Sequence, residues 1–463
     1  MFSPDELGTV QNTREDPGAN GYTWIGPVAI VGGCGHVGLP LGMAFAKVGI
    51  PVDLIDTSRE RVDLVNRGRM PFKEEGADEL LPELIDSGQL SATTDDTRLR
   101  NAEGVIVTIG TPVSDFGDPA IGPFDRALDK VLAQMRPGQL LVLRSTVFPG
   151  VTDRLSRKID ERGFEGMDLA YCPERILQEK SLIELKQLPQ IIGGVGPDAA
   201  ERAAHLFGLI CPKVIFVTPI EAELCKLFCN AYRYINFAIS NQFYMIAEQN
   251  GADFHRIYKA VREDYPRMKA FAKPGFAAGP CLVKDTYQLG AFNHGAFLLG
   301  KAALEMNEGM PYLLVQSIKR RLDLRNMTVG ILGMAMKANN DDPRDSLSFK
   351  LRKVLLMECK EVLCTDPYVS DPRFTPLAEV IDRANLLIVA TPHDCYMSCE
   401  FSQPVIDITR SVRSPMPVKE VVKPSVVLIG QEEQRSDARV GVPAPSIAFC
   451  GDRLEAVSKP RLT

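Results

Sequence analysis

The stretch "PVAIVGGCGHVGLPLGMAFAKVGIPVDLID", Pro27 to Asp56, decides the fold. A β-branched run, Val28 to Val31, meets a glycine turn. A helix-compatible stretch follows to about Lys47, and a second apolar run ends at Asp56. This order predicts one βαβ unit. The turn holds Gly33-x-Gly35-x-x-Gly38, a weak signal alone and a strong one between a strand and a helix. In such a layout Gly33 permits the tight turn, Gly35 lets the backbone approach a pyrophosphate, and Gly38 packs helix on strand. The helix N-terminus favours the phosphate charge. Asp56, closing the next run, can accept hydrogen bonds from a ribose and repels a 2′-phosphate. The expected cofactor is therefore NAD rather than NADP; Arg59 argues mildly the other way.

Further strand-like runs follow at "GVIVTIGTP", "QLLVLRSTVFPG", "MDLAYCPER", "PQIIGGV" and "KVIFVT". Helix-compatible stretches separate several of them, which argues for a parallel sheet covered on both faces. The pattern changes near Pro219. "IEAELCKLFCNAYRYINFAISNQFYMIAEQNG" repeats its apolar positions at three and four, the mark of a long amphipathic helix. "ADFHRIYKAVRED" reads as a second helix, and "AGPCLVKDTYQ", Ala278 to Gln288, as part of the loop beyond. A second α/β unit begins at "MTVGILGMAMKANNDDPRDS" and continues through "KEVLCTDP", "NLLIVATP" and "PVIDIT". The expected architecture is α/β: two Rossmann-like, doubly wound parallel-sheet domains joined by a long central helix. The expected boundaries are a leader at 1–26, a dinucleotide-binding domain at 27–218, a helical middle at 219–320, a second α/β domain at 321–422 and a tail at 423–463.

The totals narrow the function. A chain of 463 residues with net charge −6 does not suit nucleic acid or an anionic membrane as its main partner. No apolar run approaches the roughly 18–20 residues of a spanning helix, and the N-terminus is polar. The eleven cysteines are scattered, which fits reduced thiols in a cytoplasmic protein. Cys225 with Cys229 and Cys395 with Cys399 lack a second ligand pair, so no metal site is expected. His36, His205, His255, His294 and His393 share no pattern and receive no catalytic role. Trp24 reads as packing.

Several clusters could carry chemistry. Lys226 and Asn230 lie four apart on one helical face, where a cation and an amide can stabilise an oxyanion. Glu174 and Arg175 follow a strand, where such sheets bind ligands, and Glu174 could act as general acid or base. Lys337 and Arg344 offer two cations to phosphates.

Together, "GGCGHVGLP", Asp56, "GTPV", "STVFPG", "CPER", "AELCKLFCN", "CLVKDT", "GMAMKANNDDPRDS" and "TDPY" form an ordered set from about Val28 to Arg410. In this order the chain resembles the nucleotide-sugar 6-dehydrogenase family, the UDP-glucose/GDP-mannose dehydrogenase group. The resemblance implies two NAD-dependent oxidations of a sugar C6 alcohol to a carboxylate, through a thiohemiacetal and a thioester on a cysteine. The cysteine matches Cys281, with the lysine and asparagine at Lys226 and Asn230 and the water-activating aspartate at Asp285. Glu174 matches the family's glutamate and Thr146 the threonine that holds a water. Thr111, Lys284 and Arg344 match cofactor positions. Lys337 matches one near the substrate nucleotide, with Glu174, Arg175, Lys226 and Asn230 also on the substrate side. A homodimer or higher homo-oligomer through the central helix is implied too. A cysteine's ordinary pKa near 8.5 leaves only a few per cent thiolate at neutral pH, so a nearby cation such as Lys226 would help.

One departure stands out. The family usually carries two glycines just before the cysteine, with one residue between. Here Ala277-Ala278-Gly279-Pro280 keeps one, and Pro280 removes a backbone donor. "CPER" and "NAYRYIN" look like the UDP-N-acetylhexosamine branch and "CLVKDTYQL" like the UDP-glucose branch, with a slight lean to the former. A two-electron oxidoreductase of another nucleotide-linked alcohol and a non-catalytic nucleotide-sugar binder are the rival readings.

Overall fold

The computed structural model describes residues 24, 26–111, 121–164 and 166–412. Nearly all of the expected leader, Pro112 and Val113 of "GTPV", and the expected tail lie outside them.

The first lobe is built on eight strands: β1 (Val28–Val31), β2 (Val52–Ile55), β3 (Leu90–Thr93), β4 (Gly104–Val107), β5 (Leu140–Leu143), β6 (Asp168–Tyr171), β7 (Gln190–Gly194) and β8 (Val214–Phe216). Their order is β3-β2-β1-β4-β5-β6-β7-β8. Alternate residues feed two apolar layers. Val28, Ile30, Leu54 and Val142 pack on one face, and Ala29, Val105, Val107 and Leu141 on the other. A sheet buried on both faces reads as a continuous apolar run, which is why its strands were visible in the sequence. The edge strand β3, "LSAT", was not, because four mixed residues carry no such run.

The sheet is parallel, as expected, except at one pair. β7 runs antiparallel to β6, pairing Ala170 with Gly194 and Tyr171 with Gly193, and β8 then follows β7 in parallel. A parallel return needs a long crossover, usually a helix. Here the connection is taken up by the "CPER" loop and the one-turn helix Ser181–Glu184.

The long helix spans Pro219–Gln249. Pro219 stands at its first turn, and a capping box joins Thr218 to Glu221. The helix Phe254–Arg262 follows. The stretch expected as a loop around Cys281 is instead mostly the helix Pro280–Phe292, hereafter the cysteine helix. Pro280 opens it at a position whose N–H has no intrahelical partner anyway, so the missing donor costs little. The helix Leu298–Lys319 packs alongside the long helix.

Asparagines and a serine fix the loop before the cysteine helix. Asn236 donates to Ala270 O, Ser240 to Ala272 O, and Asn241 exchanges two hydrogen bonds with Gly275. These polar residues of the long helix are tethers.

The second lobe holds four parallel strands, β9 (Thr328–Leu332), β10 (Glu361–Thr365), β11 (Leu386–Val389) and β12 (Val405–Asp407), in the order β10-β9-β11-β12. Its start repeats the first lobe's. β1 and β9 each end in a glycine of positive φ, Gly32 at 77° and Gly333 at 90°. Each glycine N–H donates to the last residue of the neighbouring strand, Ile55 or Thr365. An aspartate follows that residue in both lobes, Asp56 and Asp366. Among the described residues no helix is long and apolar enough to cross a membrane.

Candidate active site

In an open parallel sheet, ligands bind at the carboxyl ends of strands where the order reverses, here around β1. The carboxyl ends of β1, β4, β5 and β6 present the glycine turn, Thr111, Thr146 and Glu174.

The glycine turn forms a cradle that side chains would fill. A Cβ on Gly33 would lie 2.7 Å from Ile30 O and 2.8 Å from Leu54 Cα. On Gly38 it would lie 2.6 Å from Gly32 O. The left-handed residue of the turn is Gly32, not Gly33 as the motif suggested; Gly33 serves close packing instead. Gly35 has more room, with only Gly32 O at 3.3 Å. The helix Gly38–Lys47 begins at Val37 with no side-chain cap; its dipole favours an anion there, although Leu39 N is taken by Gly35 O at 3.0 Å and Pro40 has no N–H. Asp56 accepts from Cys34 N at 3.1 Å and Ser58 N at 3.0 Å. A carboxylate has about four lone-pair sites, so ribose hydroxyls can still be received. These residues fit a dinucleotide.

A chain of contacts joins this cradle to the helices. Thr111 Oγ1 donates to Thr146 O at 2.5 Å, and Lys284 Nζ donates to Thr111 Oγ1 at 3.3 Å. Asn230 Nδ2 donates to Asp285 Oδ2 at 2.6 Å. Lys284 lies 2.7 Å from Asp285 Oδ1, but that oxygen has no hydrogen-bond donor in proper geometry. Asp285 is fully buried, so the ammonium offsets a charge that would be costly alone. Lys284, expected at cofactor phosphates, is thus committed to Asp285 and Thr111.

Glu174 also differs from expectation. Its carboxylate pairs with Arg144 and accepts from Ile176 N at 2.6 Å. Lys226 meets only its backbone carbonyl. Arg144 is buried, bonded to Cys172 O and Gln190 Oε1, and stacked 5.1 Å over Phe207. The sequence reading passed over Arg144. A charge inside the apolar run "QLLVLRST" was the available signal. Arg175 likewise turns inward, to Pro189 O.

Cys281 is exposed at the second position of its helix. Other thiols are held protonated: burial pushes Cys34 and Cys172 up to about 12 and Cys359 and Cys364 up to about 11. Gly279, φ 109°, precedes the helix, and a Cβ there would meet Met336 Sδ at 2.8 Å. The glycine retained here thus has a steric reason.

From the second lobe, Arg344 is held by Asp342 at 2.5 to 3.0 Å. That hydrogen-bonded pair is the first cause of its raised pKa, and the Cys281 sulfur acts in the same direction. Arg344 also bears on His36 of the glycine turn. Its charge therefore acts on both the cradle and the candidate nucleophile. Lys337 reaches back to the first lobe, donating to Gln178 O at 2.9 Å and pairing with Glu179.

Residues 27–210 match the NAD-binding domain of the UDP-glucose/GDP-mannose dehydrogenase family, 220–308 its central domain and 330–414 its UDP-binding domain. The chain belongs to this family. It is an NAD-dependent nucleotide-sugar dehydrogenase. It is 31% identical over 378 residues to the UDP-N-acetyl-D-mannosamine dehydrogenase of Pyrococcus horikoshii, covering 79% of this chain and 89% of that one. The solved structure of a UDP-D-ManNAc dehydrogenase from Pyrococcus horikoshii superposes with TM-score 0.78 at 28% identity, over 84% of this chain and 96% of that one. A UDP-glucose dehydrogenase from Pyrobaculum islandicum gives 0.77 at 25% identity, over 86% and 98%.

In this dehydrogenase His36 makes the cofactor cleft sensitive to acid. Burial pushes its pKa down to about 4, with Arg344 and Arg61 adding to the effect and Asp342 and Asp341 opposing it. Its ring lies 4.0 Å from Phe72. The unfolded chain takes up this proton near pH 6.5 and the folded one only near 4. The penalty is therefore absent above pH 6.5 and grows as pH falls toward 4. At pH 5 it amounts to about 2 kcal/mol. Between pH 7 and pH 5, the unfolding free energy from urea titrations should fall further for the wild type than for His36→Asn by that amount.

Proposed function

We propose that this dehydrogenase oxidises the C6 alcohol of a UDP-N-acetylhexosamine to the carboxylate in two steps, with Cys281 as covalent nucleophile. The observation that carries the reading is an exposed Cys281 one helical turn before Asp285, a fully buried carboxylate held by Asn230 and Lys284. The lean in sugar rests on the "CPER" and "NAYRYIN" stretches and on the name of the Pyrococcus horikoshii relative.

Gly33, Gly35, Gly38, Asp56 and Thr111 would hold NAD, which would supply the hydride acceptor for each oxidation. Lys226 and Asn230, one turn apart on the long helix, face the developing charge on the C6 oxygen. In the first step the alcohol would lose a proton to water and a hydride to NAD and become an aldehyde. The Cys281 sulfur then bonds to C6 while a proton passes to the C6 oxygen. Loss of that proton and a second hydride leaves a thioester. Water adds to the thioester, Asp285 takes its proton, and the C–S bond breaks to release the acid. Thr146 and Glu174 are assigned to water and substrate positioning, the latter through its carbonyl to Lys226. Lys284 serves by neutralising Asp285 and holding Thr111. Arg344 and Lys337 serve the phosphates, and Arg175 holds the "CPER" loop by its bond to Pro189.

Residues 27–218 would bind NAD, 219–320 would form the core of the assembly, and 321–422 would bind the UDP-sugar. A homodimer is part of the proposal. Phe228, Tyr232, Ile239, Phe243 and Ile246 form an exposed stripe along the long helix at helical spacing, and a contiguous apolar patch of this kind marks an interface. A cytoplasmic site is proposed too, consistent with ten free cysteines among the described residues.

The test is a panel of UDP-N-acetylmannosamine, UDP-N-acetylglucosamine, UDP-glucose and GDP-mannose with NAD. About two NADH per sugar are expected, fastest with an N-acetylhexosamine. A single NADH with a carbonyl product would rule out the thioester cycle.

A further inference from the structure

Glu179 has φ 70°, a left-handed conformation that a long side chain seldom adopts. Such an outlier persists only where its surroundings hold it, and it often marks function. Here the surroundings are explicit. Its N-terminal neighbour Gln178 and its own carboxylate both bind the ammonium of Lys337. Asn340 Nδ2 donates to the same carboxylate. The Glu179 carbonyl accepts from Glu75 N at 3.0 Å. Glu74 in turn accepts from Ser181 Oγ and Leu182 N. The Glu179 side chain is 13% exposed and that of Lys337 29%.

The contacts to Lys337 and Asn340 join one loop of the first lobe to one loop of the second, and those to Glu74 and Glu75 anchor that first loop within its own lobe. Lys73 adds another stitch, donating its N–H to Asp341 and its ammonium to Asn339 O. Asn339 is held from the far side by His393 and Asp394. An ammonium has three donors. Two of those on Lys337 are taken by the first lobe, which leaves one in a defined direction.

We infer that Glu179 is a positioning residue: it orients Lys337 so that the remaining donor meets the nucleotide diphosphate of the substrate. This rests on the proposed nucleotide role of Lys337. Residues that merely join two lobes would not need an acid in a left-handed conformation; a glycine would fit that backbone without strain.

UDP is the probe, titrated calorimetrically into the full-length protein, with NADH titrated separately. Glu179→Gln keeps an acceptor for Asn340 and removes the charge. Glu179→Gly relieves the backbone and removes both. Both variants should weaken UDP binding about tenfold, the scale of one hydrogen bond to a charged group, and leave the NADH dissociation constant within about twofold. Adding either substitution to Lys337→Met should cause no further loss. Unchanged UDP affinity in both Glu179 variants, with a loss in Lys337→Met, would overturn this inference and leave the Lys337 reading standing. Unchanged affinity in Lys337→Met, or no UDP binding by the wild type, would overturn both. Equal loss of UDP and NADH binding would reduce Glu179 to a structural stitch and overturn the inference as well.

Discussion

Cys281→Ala should lose acid formation by about 10³-fold or more, as expected when a covalent nucleophile is removed, while NADH binds within twofold of wild type. The separation follows from the layout. Proposed cofactor contacts come from the glycine turn and the ends of β1, β2 and β4. The sulfur stands at the start of a helix packed on the long helix. Alanine is a good helix former and Cys281 is exposed, so the substitution leaves no cavity and should not lower the melting temperature. Quantifying uronic acid by mass spectrometry, with NADH binding followed by fluorescence, reads both halves. Acid formation at the wild-type rate would remove the sulfur from the reaction. Asp285→Asn is the informative companion: it keeps the contact with Asn230 and should stall at the thioester, which a mass increase on the intact chain would reveal.

The second large effect is on stability. Arg144→Met should destabilise the first lobe by about 3–5 kcal/mol, because it strands the buried Glu174 carboxylate. Glu174→Gln in the same chain should restore much of that loss, since a neutral amide is far cheaper to bury. The guanidinium also packs on Phe207 and binds Gln190, so methionine recovers only the packing. Urea unfolding of the two single variants and the double variant forms the cycle. An Arg144→Met protein as stable as wild type would show that Glu174 has another partner. The Glu174 loop also supplies the carbonyl for Lys226, so the destabilised variant should lose turnover before it loses NADH binding.

The cofactor half was legible in the sequence because its chemistry is local. Three glycines, one helix start and one aspartate lie within thirty residues, and each answers to a rule about turns or helix ends. The long helix was legible through its period and its cap. What stayed hidden depends on residues distant in sequence. Arg144 finds Glu174 across two neighbouring strands. Asn236, Ser240 and Asn241 find a loop more than thirty residues on, and no periodicity separates a tether from a solvated side. The direction of β7 was hidden because its residues look the same read either way along the sheet. The start of the cysteine helix was hidden for a different reason: a proline was read for the bond it removes rather than for the helix it can open.

The repeated start of the two lobes has a consequence for timing. Asp56 keeps lone pairs free. Its counterpart Asp366 does not: it accepts from the amides of Met334, Ala335, Tyr368 and Val369 and meets His393 Nε2 at 3.1 Å. Burial works against its charge, yet the His393 contact and these amides outweigh burial and hold the carboxyl below its ordinary range. The second lobe has therefore filled its own ribose position. The proposed four-electron oxidation would then draw both equivalents through a single berth, the spent cofactor departing and a fresh one docking between them. During that exchange the half-oxidised sugar has to be kept aboard, and a bond to sulfur is a mooring that outlasts the changeover.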